Sequence, residues 1–524
     1  MKTKTCVLPV LLAVLVSLTS SLFSTTGAPI PERPNIIFIL ADDMGYSDPG
    51  CFGGELKTPA LDRLASGGLV VSRFHNGGMC VVSRLSLMTG RWWPSAQREF
   101  GTQRILPEIL REKGYRTALI GKWHLAGHPM DRGFDRFYGF LGGFADHFSG
   151  SKDFQNDRAP VKEQGPDYYS SAAFSKEAAA FIDETHAANP RQPFFLYLSF
   201  QAPHNPLQAP ESEIARHRGK YLGGWQAIRE ARFAKQKQLG LVPPNAVLPA
   251  YPQNLPAWNS LSPRQQALED LRMATYAAMV EGMDAGIARI MQALEKCGRA
   301  ENTIVIFTSD NGPDSFSVMD NALLKQGKLP GDRNSNFQPG TGWAYATATP
   351  WRLYKISQHA GGITAGGIVH WPAGLKQPGR TSGSPVHLID VMPTLLDAIG
   401  AAKPSPCDGE SFLPLLRNES WSRNGSMFFQ FADNRAIRNG SWTLAEVDGN
   451  GWELFDTRED LLECHDLSKG NPEMVSRLES EWLNWWKHHS RKNRYQPDST
   501  KDSPHYSPQG DRGSGRPYVP SSMP

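Results

Sequence analysis

The sequence predicts an α/β protein: a mostly parallel sheet flanked by helices, followed by a small antiparallel sheet with a helix. Three observations carry this. Four short apolar runs, Asn35 to Leu40, Thr117 to Ile120, Phe194 to Phe200 and Thr303 to Phe307, lack the alternation of a half-exposed strand and read as strands buried on both faces. Helical patterns separate them, and strand–helix alternation is the pattern of a parallel sheet. Beyond Gly425 the chain changes to short strand-like segments punctuated by turn residues.

In chain order, residues 1–28 read as a secretory signal: Lys2 and Lys4 give a charged start, Val7 to Phe23 the apolar stretch, and Thr25 to Ala28 the small residues of a cleavage region. No later apolar run reaches the ~20 residues that span a bilayer. The mature protein is therefore expected to be exported, periplasmic or extracellular, with no membrane span. The main domain covers 29–425. Helices are expected over Leu61 to Ala65, Leu106 to Lys113 and Phe174 to Thr185. The longest begins at Ser262, a cap, with Pro263 in its first turn. Tyr276, Met279, Val280, Met283, Ile287, Ile290 and Leu294 form its apolar face, and Gly298 closes it. From Gly312 to Pro350 the chain is polar and rich in Gly and Pro, a length expected of a functional loop roofing a site. Residues 426–490 form a C-terminal α+β subdomain, with turns at Asn439-Gly440 and Asp448-Gly449 and a helix from Glu473 to His488. Residues 491–524, rich in Pro, Ser, Gly and charge, are expected to be disordered.

With 524 residues, 40% of them apolar and 20% charged, the chain is globular, and a formal charge of +3 gives no field for nucleic acid. Cys6 leaves with the signal. Cys51, Cys80, Cys297, Cys407 and Cys464 remain, an odd number, so at least one is unpaired or modified.

The four apolar runs end alike. Asp42 and Asp43 follow the first, Lys122 and His124 the second, His204 the third, Asp310 and Asn311 the fourth. Ligands of such sheets bind beyond the carboxyl ends of the strands. Any one of these residues alone reads as a loop residue; four strand ends of this kind read as a site. Paired carboxylates with an Asp-Asn pair suit a hard divalent cation bound by oxygen. The spacing excludes an EF-hand, and the lack of a His- or Cys-rich set counts against zinc. Lys122, His124, His204 and Lys355 supply cations or proton donors. Arg84 adds a fixed charge, and a helix over Ser83 to Met88 would point its amino end, which favours anions, at Cys80. An acidic metal nest ringed by Lys, Arg and His suits a tetrahedral oxyanion ester, sulfate or phosphate.

The run Cys80-Val81-Val82-Ser83-Arg84, followed by Thr89-Gly90-Arg91, resembles the signature of the type I, formylglycine-dependent sulfatases. Ala41 to Asp48 with Gly50 to Gly54, Gly114 to Thr117 with Gly121 to Leu125, Arg132 to Gly139, Ala202 to Pro206 and Ser309 to Gly312 are similar to further blocks of that family. Gly223 to Glu230 with Pro256 to Trp258 looks most like its bacterial arylsulfatase branch. The resemblance implies an alkaline-phosphatase-like fold, with a large mixed, mostly parallel sheet, and a catalytic domain over 29–425. It implies one Ca2+ held by Asp42, Asp43, Asp310, Asn311 and the modified Cys80. Cys80 would be converted to 3-oxoalanine (formylglycine) by the formylglycine-generating enzyme, and its hydrated aldehyde would attack sulfur. Arg84, Lys122 and His124 would hold and polarise the sulfate. His204 and Lys355 would bind it and help the alcohol leave, and His124 would take the proton when sulfate is expelled. The implied substrates are aryl sulfates in vitro and a sulfated glycan in nature.

Three departures stand out. Val82 replaces the family's proline, Ala360 its glutamate before Gly361-Gly362, and Gly366 its following proline. Valine favours the extended backbone that the maturation enzyme reads. Two other readings follow from the same residues: hydrolysis of phosphate diesters or phosphonates on this fold, or binding of sulfated glycan without turnover where Cys80 stays a thiol.

Overall fold

The computed structural model describes Met1, residues 33–317 and residues 320–491; the expected signal, Met1 apart, and the tail after Arg491 lie outside the described residues. The main sheet contains β1 (Asn35–Asp42), β2 (Leu69–His75), β3 (Arg116–Lys122), β4 (Arg136–Phe140), β5 (Phe154–Asn156), β6 (Ala159–Pro160), β7 (Phe194–Pro203), β8 (Thr303–Ser309), β9 (Thr364–His370), β10 (Arg380–Ser382) and β11 (Val386–His387). Its order is β10-β2-β9-β8-β1-β7-β3-β4-β5-β6, with β11 on β2. β1 lies between β7 and β8, parallel to both, and β3 is parallel to β7 and β4. β9 runs against β2 and β8, and β5 and β6 add an antiparallel edge, so the sheet is mixed and mostly parallel.

All of β1 is buried, and its residues alternate between two cores. Ile37, Ile39 and Ala41 join the core under the long helix, whereas Ile36, Phe38 and Leu40 join the core on the opposite face. A strand covered on both sides has no polar face to expose, which is why the run reads as continuous.

The helix Pro263–Lys296 covers the first face. Ser262 and Gln265 cap it reciprocally, the Ser262 amide donating to the Gln265 side chain at 2.9 Å and the Gln265 amide to Ser262 Oγ at 3.4 Å. Its Asp284 in turn accepts the amides of Ala60 (3.0 Å) and Leu61 (2.9 Å), capping the helix Pro59–Ser66. Among the described residues no helix is long and apolar enough to cross a membrane.

The expected roof over Gly312 to Pro350 is not an open loop. It contains the helices Asp320–Lys325 and Gly340–Thr347, the second buried throughout, with Trp343 packed edge-on against Trp225 and Trp258. The short apolar stretch Trp343 to Ala346 goes into the core, and the surrounding Gly and Pro hide that in the sequence.

The small sheet runs β12 (Met427–Phe431), β13 (Asn434–Asn439), β14 (Trp442–Glu446) and β15 (Glu453–Asp456), in sequence order and antiparallel. Asn439 pairs with Trp442, so the tight loop is Gly440-Ser441, one residue later than expected. The helix Pro472–Ser490 lays Trp482, Trp485 and Trp486 onto this sheet, in a third core. Cys51, Cys80, Cys297, Cys407 and Cys464 are all free thiols.

Gly366 has a steric reason to differ from the family's proline. A methyl group there would lie 2.4 Å from the Phe52 ring. Gly366→Ala is expected to lower stability by about 1–3 kcal/mol through overpacking. The test is the urea midpoint at unchanged m, with Phe52→Leu in the same chain recovering part of the loss.

Candidate active site

The carboxyl ends of β8, β1, β7 and β3 are consecutive in the sheet, so three spacings of ~4.8 Å bring all four strand ends within about 14 Å. Asp42 ends β1, Lys122 ends β3, His204 follows β7, and Asp310-Asn311 follow β8. Short links join them. Asp310 N donates to Ala41 O (3.1 Å), Asp43 N to Asp310 Oδ1 (3.3 Å), and Asn311 Nδ2 to Asp43 Oδ1 (2.6 Å).

Each buried carboxylate meets a buried cation. Lys122 Nζ donates to Asp42 Oδ2 at 2.6 Å, Lys355 Nζ lies 2.7 Å from Asp43 Oδ1, and Arg84 Nη2 lies 2.8 Å from Asp310 Oδ2. Burial alone would raise the Asp43 carboxyl, but the charges of Lys355 and His204, with hydrogen bonds from Lys355 and Asn311, bring it down to about 2. Asp310 moves the other way, to about 6, because burial and the neighbouring Asp42 outweigh Arg84 and Lys122. Burial works against the charged Lys355, yet Asp43, Cys80 and Asp314 hold its ammonium well above the usual range.

Two oxygens in this nest, Asp42 Oδ1 and Asn311 Oδ1, are buried without a hydrogen-bond partner. Ligand atoms of Asp42, Asp43 and His204 lie within 4.8 Å of one another. Unpaired buried oxygens beside clustered carboxylates fit a hard divalent cation. Asp42, Asp43 and Asp310 balance Lys122, Lys355 and Arg84, with the buried Asp314 close by and raised to about 7, so a divalent ion would leave positive charge for an anionic ester to offset.

Cys80 is the first residue of the helix Cys80–Thr89 and is buried. Burial pushes its thiol up; Lys122 and Lys355 pull it down, while Asp42 and Asp310 push it further up. Ser83 fixes the helix start by accepting the Gly77 amide at 2.8 Å and donating to Asp310 O. Val82 is buried against Gly77, where a methyl group would lie 2.4 Å from Val82 Cγ1.

Arg84 lies deeper than expected. Its guanidinium is fully buried and is used by Lys122 O, Tyr197 Oη, Ser199 Oγ and Asp310 Oδ2, so it braces the strand ends from beneath. His124 and His204 flank the nest. Burial first, then Lys122 and Arg84, lower the His124 imidazole to about 2. Burial lowers His204 to about 3 although Asp43 opposes it. His204 Nε2 is 3.5 Å from Asp43 Oδ2, its Nδ1 contacts Asn205 O at 2.7 Å, and the exposed Phe144 stacks on its ring at 6.4 Å.

The backbone is left-handed at three non-glycine positions here: Asp43 (φ 64°), His124 (φ 55°) and Ile356 (φ 77°), next to Lys355. Such conformations persist only where the surroundings impose them and cluster at functional sites.

Several supporting residues were not foreseen. Asp314, near Lys355 and Asp43, is raised to about 7 by burial; its place four residues after Asp310 was the available signal. The loop after β1 is held by Asp48, which accepts from Arg232 (2.7 Å), Tyr276 Oη (2.6 Å) and the Gly45 amide (2.8 Å). Glu463, from the small subdomain, accepts the Ala360 amide at 3.0 Å and pairs with Arg438 at 2.6 Å. No sequence spacing links Glu463 to Ala360, so only the fold reveals it.

A buried oxyanion-type centre at the strand ends of a mixed α/β sheet defines a hydrolase of tetrahedral oxyanion esters. The sulfatase family model matches residues 34–401, and a model of the N-sulphoglucosamine sulphohydrolase C-terminal region matches 359–484. An uncharacterised sulfatase of Schizosaccharomyces pombe is 31% identical, covering 86% of this chain and 93% of its own length. An arylsulfatase of Klebsiella aerogenes is 32% identical, over 74% of this chain and 90% of its own. The solved structure of Ps i-CgsB in complex with k-i-k-neocarrahexaose superposes with a TM-score of 0.67 at 26% identity, covering 90% of this chain and 96% of that one. The chain belongs to the sulfatase family, hydrolases of sulfuric esters, and has the alkaline-phosphatase-like fold expected of it.

Glu463→Ala would leave Arg438 buried without its acid and the Ala360 amide without its acceptor. A loss of about 3–5 kcal/mol is expected, read by urea unfolding; a loss below about 1 kcal/mol would show that this link is not structural.

Proposed function

We propose that the protein is an exported, calcium-dependent sulfatase that hydrolyses sulfate esters of a saccharide through a formylglycine made from Cys80. The observation that carries this is the setting of Cys80: buried at the start of a helix that Ser83 ties to Asp310 O, and so joined to the nest in which the Asp42 and Asn311 oxygens are unpartnered. Asp42, Asp43, Asp310 and Asn311, with the modified side chain at position 80, would hold the ion. When present, the ion and the hydrated aldehyde supply a hydroxyl nucleophile and polarise the sulfate.

The chain's own residues do the rest. Lys122 and Lys355, paired with Asp42 and Asp43, supply the positive charge that an incoming anion would meet once the ion is bound. Arg84 keeps Asp310 and the Lys122 carbonyl in place and acts as a positioning residue. His124 accepts the proton released as sulfate is expelled, the negative charge of the bound sulfate offsetting the burial and the Lys122 and Arg84 charges that lower its imidazole in the free site. With its Nδ1 donating to Asn205 O, His204 turns Nε2 toward the site. A proton there, favoured once the anionic ester is bound, leaves with the alcohol.

A saccharide is favoured by the complex reported for Ps i-CgsB and by the N-acetylglucosamine-6-O-sulfatase of Bacteroides thetaiotaomicron, 26% identical over 83% of this chain. Phe144, stacked on His204, offers an exposed ring beside the site on which a sugar face can stack. Export rests on the leader-like residues 1–28.

Mass spectrometry of the Cys80 peptide from the native host is expected to show the aldehyde. A thiol alone, with no sulfate release from an aryl sulfate, would replace this reading with sulfated-glycan binding without turnover. Asp310→Ala is expected to cut turnover about 10³-fold or more while the fold persists, and chelation to abolish activity that Ca2+ restores. Phe144→Ala should raise KM for a sulfated oligosaccharide about tenfold with little change in kcat.

A further inference from the structure

Away from the catalytic centre, a cavity of about 390 Å³ opens at the seam between β2 and the small sheet. Its walls contain four arginines, Arg73, Arg423, Arg438 and Arg458, together with Ser441 and Thr457, and no Asp or Glu. None of the residues proposed for sulfate-ester cleavage lines it.

Three of the guanidiniums are anchored from behind. Arg423 pairs with Asp390 at 2.5 Å, Arg438 with Glu463 at 2.6 Å, and Arg458 with Asp456 at 2.6 Å. These pairs fix the arginines without using all their donors. The Nε–H groups of Arg423 and Arg438 are buried and make no hydrogen bond, on side chains only 5% and 9% exposed, and Glu410 lies 4.0 Å from the first of them. Leaving such donors unpaired is costly. Arg73 donates from Nε to Gly383 O at 2.5 Å and, among the described residues, has no carboxylate partner. Burial, and then the like charge of Arg438, lowers its hold on its proton. The two buried imidazoles beside it, His75 and His387, are likewise pushed down, by burial first and then by these arginines. The cavity wall itself is free of acids, the carboxylates that pair with Arg423, Arg438 and Arg458 lie outside it, and Arg73 faces it with no carboxylate partner among the described residues.

We propose that this cavity is a second binding site, for a tetrahedral oxyanion: sulfate, or a sulfate group carried on a saccharide. Arg73, Arg423 and Arg438 hold it. The planar fork of a guanidinium matches two oxygens of such a group.

The full-length protein crystallised and soaked in selenate is expected to show an anomalous peak within hydrogen-bonding reach of Arg73 and Arg438. The peak should be missing from Arg73→Gln crystals treated alike. In calorimetric titration with sodium sulfate at constant ionic strength, Arg73→Gln should weaken a saturable binding event about tenfold or more, with aryl sulfate hydrolysis unchanged. If Arg73→Gln lowers the unfolding midpoint, Ser441→Glu, which sets a carboxylate at the wall, has to abolish the same peak. Displacement of selenate by a sulfated tetrasaccharide would identify saccharide-borne sulfate as the ligand; selenate that stays would identify the free ion. No peak at Arg73, a peak undiminished in the variants, or a peak without saturable binding in solution, an adventitious ion only, would overturn the proposal.

Discussion

Buried charge governs this molecule. Three carboxylates lie out of water at the ends of adjacent strands, and each is tolerated only because a cation meets it within hydrogen-bonding distance. The cations come from three different places: Arg84 from the helix behind Cys80, Lys122 from the end of β3, and Lys355 from the segment leading to β9. The charge pairing therefore ties together parts of the chain that are far apart in sequence. It also bears on the proposed function, in which the nest would take an ion and an anion together. Either alone would leave the buried site charged, whereas the two nearly cancel.

Holding these groups requires backbone that the chain would not otherwise adopt. Asp43, His124 and Ile356 sit at positive φ, and for Ile356, a β-branched residue, that conformation is a genuine outlier. The surrounding hydrogen bonds over-determine it. Ile356 N donates to Gly78 O at 2.8 Å and Lys355 N to Pro313 O at 3.1 Å, so the lysine's segment is stitched both to the approach to Cys80 and to the segment after Asn311. A rigid, close-packed support of this kind keeps reacting groups within the small tolerances that catalysis needs.

The sheet was legible because β1, β3, β7 and β8 are buried on both faces and their apolar runs are uninterrupted. β2, with Ser72 and Arg73 in its middle, and β9, with Gly366 and Gly367, carry no such run, and they were not anticipated. Both are buried nearly throughout, but the polar residues in the one and the glycines in the other interrupt the apolar run that would announce a strand. The candidate site was legible for the same reason as the sheet: its acids and bases directly follow the buried runs. What could not be read were residues that act across sequence distance, such as Arg232 on Asp48, Glu463 on Ala360, and the four arginines drawn from β2, from β13 and from the segments just before and after the small sheet. Their meaning depends on the tertiary fold, and no local spacing encodes it. Arg84 illustrates the limit within a motif: the sequence places it one turn from Cys80, but only packing shows it facing the strands.

The departures from the family pattern can be weighed against the folded structure. At position 360 a carboxylate is missing from the chain segment itself, yet Glu463 brings one to the Ala360 amide, and Glu453 meets His359 at 2.7 Å one residue earlier. The small subdomain thus closes over the turn before Gly361-Gly362, whose backbone lies so near Gly312 that a methyl group there would be 1.9 Å from Gly361 O. At position 82, valine fills space that Gly77 leaves open. Gly366 makes room for Phe52. Each substitution is absorbed by packing, so none of the three weakens the case for an intact catalytic nest. On the proposed route through a modified Cys80, Val82 would act in the unfolded chain: a β-branched residue favours extended backbone without proline's fixed φ, so the rate of conversion, rather than the packing against Gly77, would be what it changes.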